Sequence, residues 1–185
     1  MKPLLLIFFG LLFTVFYSCE EPFNLIEPEP YSGIIFEKSI GGQMDDIGYE
    51  AIIYNEELYI IGTSGSFGEP NGDHYLVKMD LEGNVIWEKT YGGAAAEEGF
   101  NLIATNDGNF VLIGSTQSKG NGMKDIHIIK VNPNGDVLWE KTLGGALDDA
   151  PISIIETASN EFCISATTES FGAGSRDIYL IWIDQ

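Results

Sequence analysis

The sequence predicts an all-β domain over residues 33–185, built from three four-stranded antiparallel sheets that are copies of one module. Three observations lead to this fold class. A motif recurs about every 52 residues, short β-branched and aromatic runs stand between turn residues, and no sustained helical pattern follows the first 18 residues.

The repeat is visible in three heptapeptides. Residues 36–42 read FEKSIGG, residues 87–93 read WEKTYGG, and residues 139–145 read WEKTLGG. The steps between them are 87 − 36 = 51 and 139 − 87 = 52 residues. Further columns recur with the same spacing, namely Gly68, Gly120 and Gly172, and Asp73, Asp125 and Asp177. Agreement in so many columns indicates duplication of one structural unit.

Each copy contains apolar runs of strand length. The second run, for example, spans residues 58–61, 110–113 and 162–164 in the three copies. β-Branched and aromatic residues dominate these runs, and such residues favour strands. Turn sequences such as residues 106–109 (NDGN) and 134–136 (NGD) separate them, because Gly and Asn tolerate the positive φ of tight hairpins. We therefore expect four strands in each copy.

Four-stranded units of this length resemble the blades of β-propellers. The spacing of Asp80, Gly83 and Trp87 resembles the strand-turn-strand signature of quinoprotein-type propellers. The whole unit is similar to the propeller-like repeats of secreted bacterial proteins, with Gly-Gly and Trp-Glu-Lys-Thr motifs. This resemblance implies that the three sheets are propeller-like blades, and it implies little about function.

The two ends of the repeat region bear on how the blades close. The sequence stops after the third run of the third copy, and residues 33–39 form an unattached copy of the fourth strand. We expect this N-terminal strand to complete the last blade. Because propellers usually have four to eight blades, three arrangements are open: a homodimer, a self-closed array like the β-prism of bulb-type lectins, or a relative of a longer propeller. Closure within one chain is slightly favoured.

The first residues predict export and a lipid anchor. Lys2 precedes an apolar run over residues 4–16, which is too short to span a bilayer and has the length of a signal-peptide core. Ser18 followed by Cys19 resembles the lipobox of bacterial lipoproteins. This resemblance implies a signal peptide over residues 1–18, a lipid (palmitate) on Cys19, membrane attachment through it, and a tether over residues 19–32.

The net charge and the residues after Cys19 restrict which partners the protein can bind and where in the cell we expect it. The formal net charge is −19, which argues against nucleic acid because phosphates need clustered Lys and Arg. Glu20 and Glu21, directly after the cysteine, resemble the export tag of surface lipoproteins. We therefore expect an outer-membrane lipoprotein, and exposure on the cell surface is one of its two possible orientations.

Two columns of carboxylates are the candidate site residues. They are Asp46, Glu97 and Asp149, and Asp73, Asp125 and Asp177. In a closed array they would form a rim that binds Ca²⁺ or a polar ligand, whereas the alternative is that each caps a turn. No other cofactor is expected. His74 and His127 occupy non-equivalent positions with opposite strand parity, which argues against a shared metal site, and Cys163 is expected in the core.

No catalytic set can be assembled from these residues, so the sequence favours a non-enzymatic binding or scaffold domain for a protein or glycan. Variable loops over residues 68–72, 120–124 and 172–176 are the expected contact points. One alternative is a carbohydrate-binding module like the bulb-type lectins, although their sugar-binding motif is absent. Another is a glycan hydrolase that uses the rim carboxylates.

Overall fold

The computed structural model describes residues 36–185, which belong to one compact unit. This part of the chain contains eleven β-strands and no helix, and so no helix that could cross a membrane. The predicted signal peptide, Cys19, the tether and residues 33–35 lie outside the described residues.

The eleven strands follow the predicted repeat. Their bounds are β1 Asp46–Tyr54, β2 Glu57–Ser64, β3 Asp73–Asp80, β4 Val85–Tyr91, β5 Glu97–Ala104, β6 Phe110–Thr116, β7 Asp125–Val131, β8 Val137–Leu143, β9 Asp149–Glu156, β10 Phe162–Thr168 and β11 Asp177–Ile183.

The strands form three antiparallel sheets in which each strand pairs with its neighbours in sequence. The first sheet has the order β1-β2-β3-β4, the middle sheet β5-β6-β7-β8, and the third sheet β9-β10-β11. Tight turns join the strands at the predicted glycines, with φ of 86° at Gly83 and 76° at Gly135. The prediction of an all-β domain with three antiparallel sheets is therefore confirmed.

The middle sheet packs against both of its neighbours. One cluster of buried side chains joins it to the first sheet, with Tyr59 and Leu76 on one side and Phe110 and Ile129 on the other. A second cluster joins it to the third sheet. Every residue of β6 and β7 is buried, because each side of these strands faces another sheet. This explains why apolar residues occupy consecutive positions in these strands, as over residues 110–113, instead of alternating with polar ones.

The third sheet differs from the prediction of four strands per sheet. It contains three strands, and β11 has no neighbour on its outer side among residues 36–185. No other sheet in this part of the chain covers the outer face of the third sheet, so the array is open. The expectation that three sheets close within one chain is therefore wrong.

The segment that was expected to complete the third sheet lies elsewhere. Residues 36–40 form no strand. Lys38 Nζ donates a hydrogen bond of 2.6 Å to the carbonyl oxygen of Gly83, and the Phe36 ring lies beside the same glycine. The segment thus contacts the β3–β4 turn of the first sheet, and within one chain it leaves β11 unpaired.

Candidate functional site

The first predicted carboxylate column anchors the connections between sheets. Asp46, Glu97 and Asp149 are the first residues of β1, β5 and β9. Each accepts a hydrogen bond from the second glycine of the preceding Gly-Gly pair, as in Gly93 N to Glu97 Oε2 at 2.9 Å and Gly145 N to Asp149 Oδ2 at 2.7 Å. The sequence repeats the Gly-Gly pair and the carboxylate together because the two form one turn.

Hydroxyl groups at the end of the next strand, or in the loop that follows it, complete each of these anchors. Thr116 Oγ1 donates to Glu97 at 2.7 Å, and Ser66 Oγ donates to Asp46 at 2.7 Å. Burial alone would raise the pKa of Glu97, but hydrogen bonds from Ser118, Gly93 and Thr116 hold that pKa below its ordinary value. Glu97 is therefore ionised at neutral pH, and its oxygens already accept hydrogen bonds from donors of its own sheet and the adjoining loops.

The second column caps the glycine-rich loops. Asp73, Asp125 and Asp177 begin β3, β7 and β11, as the sequence indicated. The Oδ2 atom of Asp125 accepts backbone hydrogen bonds from Asn121 and Gly122 at 2.9 and 3.0 Å. The turn-capping interpretation describes the geometry of both columns.

The two columns meet pairwise at the junctions between sheets. Gly92 separates Asp73 from Glu97, since a Cβ on Gly92 would lie 2.0 Å from the first and 2.6 Å from the second carboxylate. Gly144 stands between Asp125 and Asp149 in the same way. Burial, followed by the proximity of Glu97, raises the pKa of Asp73. Four of the six residues thus form two junction pairs, while Asp46 and Asp177 stand alone at the ends of the array. Within residues 36–185 no three His, Cys, Asp or Glu side chains are placed to hold a metal ion.

Two buried histidines meet between the first and middle sheets. His74 Nε2 lies 3.0 Å from His127 Nδ1, and His127 Nε2 lies 3.1 Å from Glu140 Oε2. Opposite parity places the two imidazoles on opposite faces of their own sheets, as expected. However, those two faces are the ones that pack together, so the two rings meet at the interface, a contact that strand parity alone did not predict.

The histidine pair is neutral at pH 7. Burial lowers the pKa of His74 to about 3, and burial also lowers the pKa of His127 against the opposing effect of Glu140. With Glu140 accepting from His127 Nε2, His127 Nδ1 accepts from His74 Nε2, which leaves His74 Nδ1 as an acceptor without a partner. Gly114 makes room for this ring, because a Cβ there would lie 2.4 Å from His74 Cε1.

A third column, which the sequence analysis missed, lies on the first strand of each sheet. The strand pairing skips one residue in β1, in β5 and in β9, and the skipped residues are Tyr49, Phe100 and Ile152. A β-bulge of this kind turns the extra side chain away from the regular ladder. The repeat alignment places these residues in one column, but the bulge itself has no clear signature in the sequence.

The bulged side chains converge on one apolar surface. The Tyr49 and Phe100 rings pack edge to face with centroids 5.3 Å apart. Together with Ala150, Pro151 and Ile152 they line a shallow pocket shared by all three sheets. Tyr49 and Ile152 are 46% and 60% exposed, so the pocket opens to solvent. We call these five residues the bulge pocket.

A polar pair directly follows two of the bulged residues in the chain, and the loops lie toward the same end of the sheets. Asn101 Nδ2 donates a hydrogen bond of 3.2 Å to Glu50 Oε2, next to the bulged residues in β1 and β5. Because β1 pairs with β2 so that Asp46 faces Ser64, the start of each first strand lies at the end that carries the β2–β3 loop and its equivalents. The predicted variable loops and the bulge pocket therefore lie toward the same end of the sheets.

Cys163 and the tryptophan of the repeat motif lie within strands. Cys163 is a free, half-buried cysteine in β10. Trp139 packs beside Phe162 in the cluster that joins the middle and third sheets.

Compared with known protein families and with curated proteins, the chain matches none.

Proposed function

We propose that this chain is a non-enzymatic binding module of the bacterial cell envelope, held at the outer membrane by a lipid on Cys19. Its three sheets act as propeller-like blades that present one end to a protein or glycan partner. The observation that carries the proposal is the bulge pocket, where equivalent residues of three repeats supply one exposed apolar surface.

The chemistry of the pocket supports binding over catalysis. Its lining is aromatic and aliphatic, and exposed apolar surface of this kind is typical of contact sites. The carboxylates that would serve a hydrolase accept hydrogen bonds from backbone and hydroxyl donors of the turns. Those bonds fit a structural role for them and leave the bulge pocket as the better ligand site.

A glycan is the second candidate partner, and one feature favours it. Aromatic rings stack on sugar faces while neighbouring polar groups bind hydroxyls, and here Tyr49 and Phe100 are directly followed in the chain by the hydrogen-bonded Glu50 and Asn101. A protein partner would use the same rings as apolar anchors. The two candidate partners would bind the same surface, so one double variant and its control test both.

Alanine at both Tyr49 and Phe100 is expected to weaken partner binding at least about tenfold, since burying one such side chain is worth about 1.5–3 kcal/mol. The measurement uses residues 20–185, which include the whole compact unit, on a glycan array and in pull-downs from envelope extracts. Leu138→Ala, an exposed position on β8, is the matched control and should bind like the unmodified chain. Equal binding by the double variant, or no retained envelope component, would contradict the proposal.

A further inference from the structure

The two sheet-to-sheet interfaces within the chain use equivalent faces. In the first sheet, one face of β3 is buried by the middle sheet, and Leu76 belongs to that interface. In the middle sheet, the same face of β7 is buried by the third sheet, and Ile128 takes the place of Leu76. Each sheet thus offers a forward face, which the next sheet covers.

The third sheet has the same forward face without a cover. Ile178, Leu180 and Trp182 of β11 are 90%, 64% and 59% exposed. Ile155 of β9 is exposed beside them, whereas its equivalents Ile52 and Ile103 pack into the two interfaces. A contiguous apolar sheet face of this kind marks an interaction surface.

The contacts of residues 36–42 with the first sheet indicate what could cover that face. In the chain, the fourth strand of the first sheet contacts the next sheet at Gly135, through Trp87 and Lys89. Phe36 and Lys38 contact the first sheet at Gly83, which is equivalent to Gly135. The segment therefore occupies the place of the fourth strand of a sheet that precedes the first one.

The next residues of the segment continue the equivalence. Gly42 N donates a hydrogen bond of 2.8 Å to Asp46 Oδ2, as Gly93 N donates one to Glu97 Oε2. At each internal junction such a carboxylate is paired with one from the preceding sheet, as Asp73 is with Glu97. Asp46 has no preceding partner and Asp177 has no following one among residues 36–185, so each lacks the other half of a junction.

We propose that a second copy of this chain docks on the forward face of the third sheet, and that residues 36–42 of each copy complete the third sheet of the other. The register follows from the repeat. Tyr75 pairs with Thr90 and His127 pairs with Thr142 within the chain, so Tyr179 pairs with Ser39 of the second copy. This proposal is independent of the ligand proposed above.

The receiving face and the symmetry are consistent with two copies. On the outer face of the first sheet, Ile53 is exposed, whereas its equivalent Ala104 packs against the preceding sheet. A concavity lined by Ile40, Ile60 and Val77 lies on the same face. Two copies give six sheets, a ring size within the usual range of four to eight, and two identical contacts leave no face open.

The mass of residues 20–185 in solution, measured by light scattering and sedimentation equilibrium, tests this proposal. We expect twice the chain mass, and we expect Leu180→Glu to halve it because a charge enters the buried face. Leu138→Glu changes a leucine of similar exposure outside the interface and should leave the dimer intact. Circular dichroism shows whether each variant is folded. A monomer for the unmodified chain, or a dimer unaffected by Leu180→Glu, would overturn the proposal.

A second experiment tests the register. Ser39→Cys and Tyr179→Cys, combined with Cys163→Ser, place two thiols at paired positions, and mild oxidation should give a disulfide-linked dimer on a non-reducing gel. Each single cysteine variant serves as a control and should remain uncrosslinked. A disulfide within one chain would mean self-closure, and no disulfide would mean that residues 36–42 do not reach β11, so either result contradicts the exchange.

Discussion

Replacing Phe110 with alanine is expected to lower the free energy of unfolding by about 3–5 kcal/mol. Phe110 is fully buried at the start of β6, inside the cluster that joins the first and middle sheets. Its ring contacts Tyr59 and Tyr54, with centroids 4.2 and 5.3 Å away. Removing the Phe110 ring leaves a cavity. The neighbouring Tyr59 and Tyr54 rings are held in the packed interface between the sheets and cannot fill it by small movements, so most of the lost contact energy is not recovered.

Denaturant unfolding followed by circular dichroism measures this loss. Val137→Ala, at an exposed position on β8 of the same sheet, is the control and should change the free energy by less than about 0.5 kcal/mol. A loss below about 1 kcal/mol at Phe110 would show that the first and middle sheets are not packed through this ring.

Alanine at Glu97 is expected to lower the free energy of unfolding by about 3 kcal/mol, because buried donors would lose their acceptor. The carboxylate accepts hydrogen bonds from Gly93 N, Thr116 Oγ1 and Ser118 N. Each unsatisfied buried group costs about 1–3 kcal/mol, and some donors will reach water. The same denaturant experiment measures the effect.

Two comparisons separate a turn anchor from a cation ligand. Glu97→Gln retains an acceptor oxygen of the same reach and should lose clearly less stability than Glu97→Ala. Addition of Ca²⁺ or of EDTA should leave the unfolding midpoint of the unmodified chain unchanged. A midpoint that rises with Ca²⁺ and no longer does so in Glu97→Ala would support the calcium rim and contradict the anchoring role.

The repeat made most of the fold predictable. Because the same residues recur in register, Asp73, Asp125 and Asp177 could be placed at the start of the third strand of each copy, and all three strands begin there. Closure was not predictable, because the sequence of residues 36–42 shows that the segment resembles the fourth strand of a repeat but not which sheet it contacts. The contact of Lys38 with Gly83 supplies that information.

The candidate site was predictable only in part. The carboxylate columns were found, and the turn-capping alternative describes their hydrogen bonds. The meeting of His74 and His127 requires the order in which sheet faces stack, which strand parity alone does not contain. The bulge pocket requires the one-residue register shifts at Tyr49, Phe100 and Ile152, and these arise from pairing between strands and not from local residue preferences.

Hydrogen exchange of the backbone amides tests the central claim, that the middle sheet is the shared core of three stacked repeats. Amides of β6 and β7 should exchange most slowly, because their residues are all buried between neighbouring sheets. Amides of the outer strands β4 and β8 should exchange faster. Exchange of β6 and β7 as fast as that of β4 and β8 would show that the three sheets do not share a core.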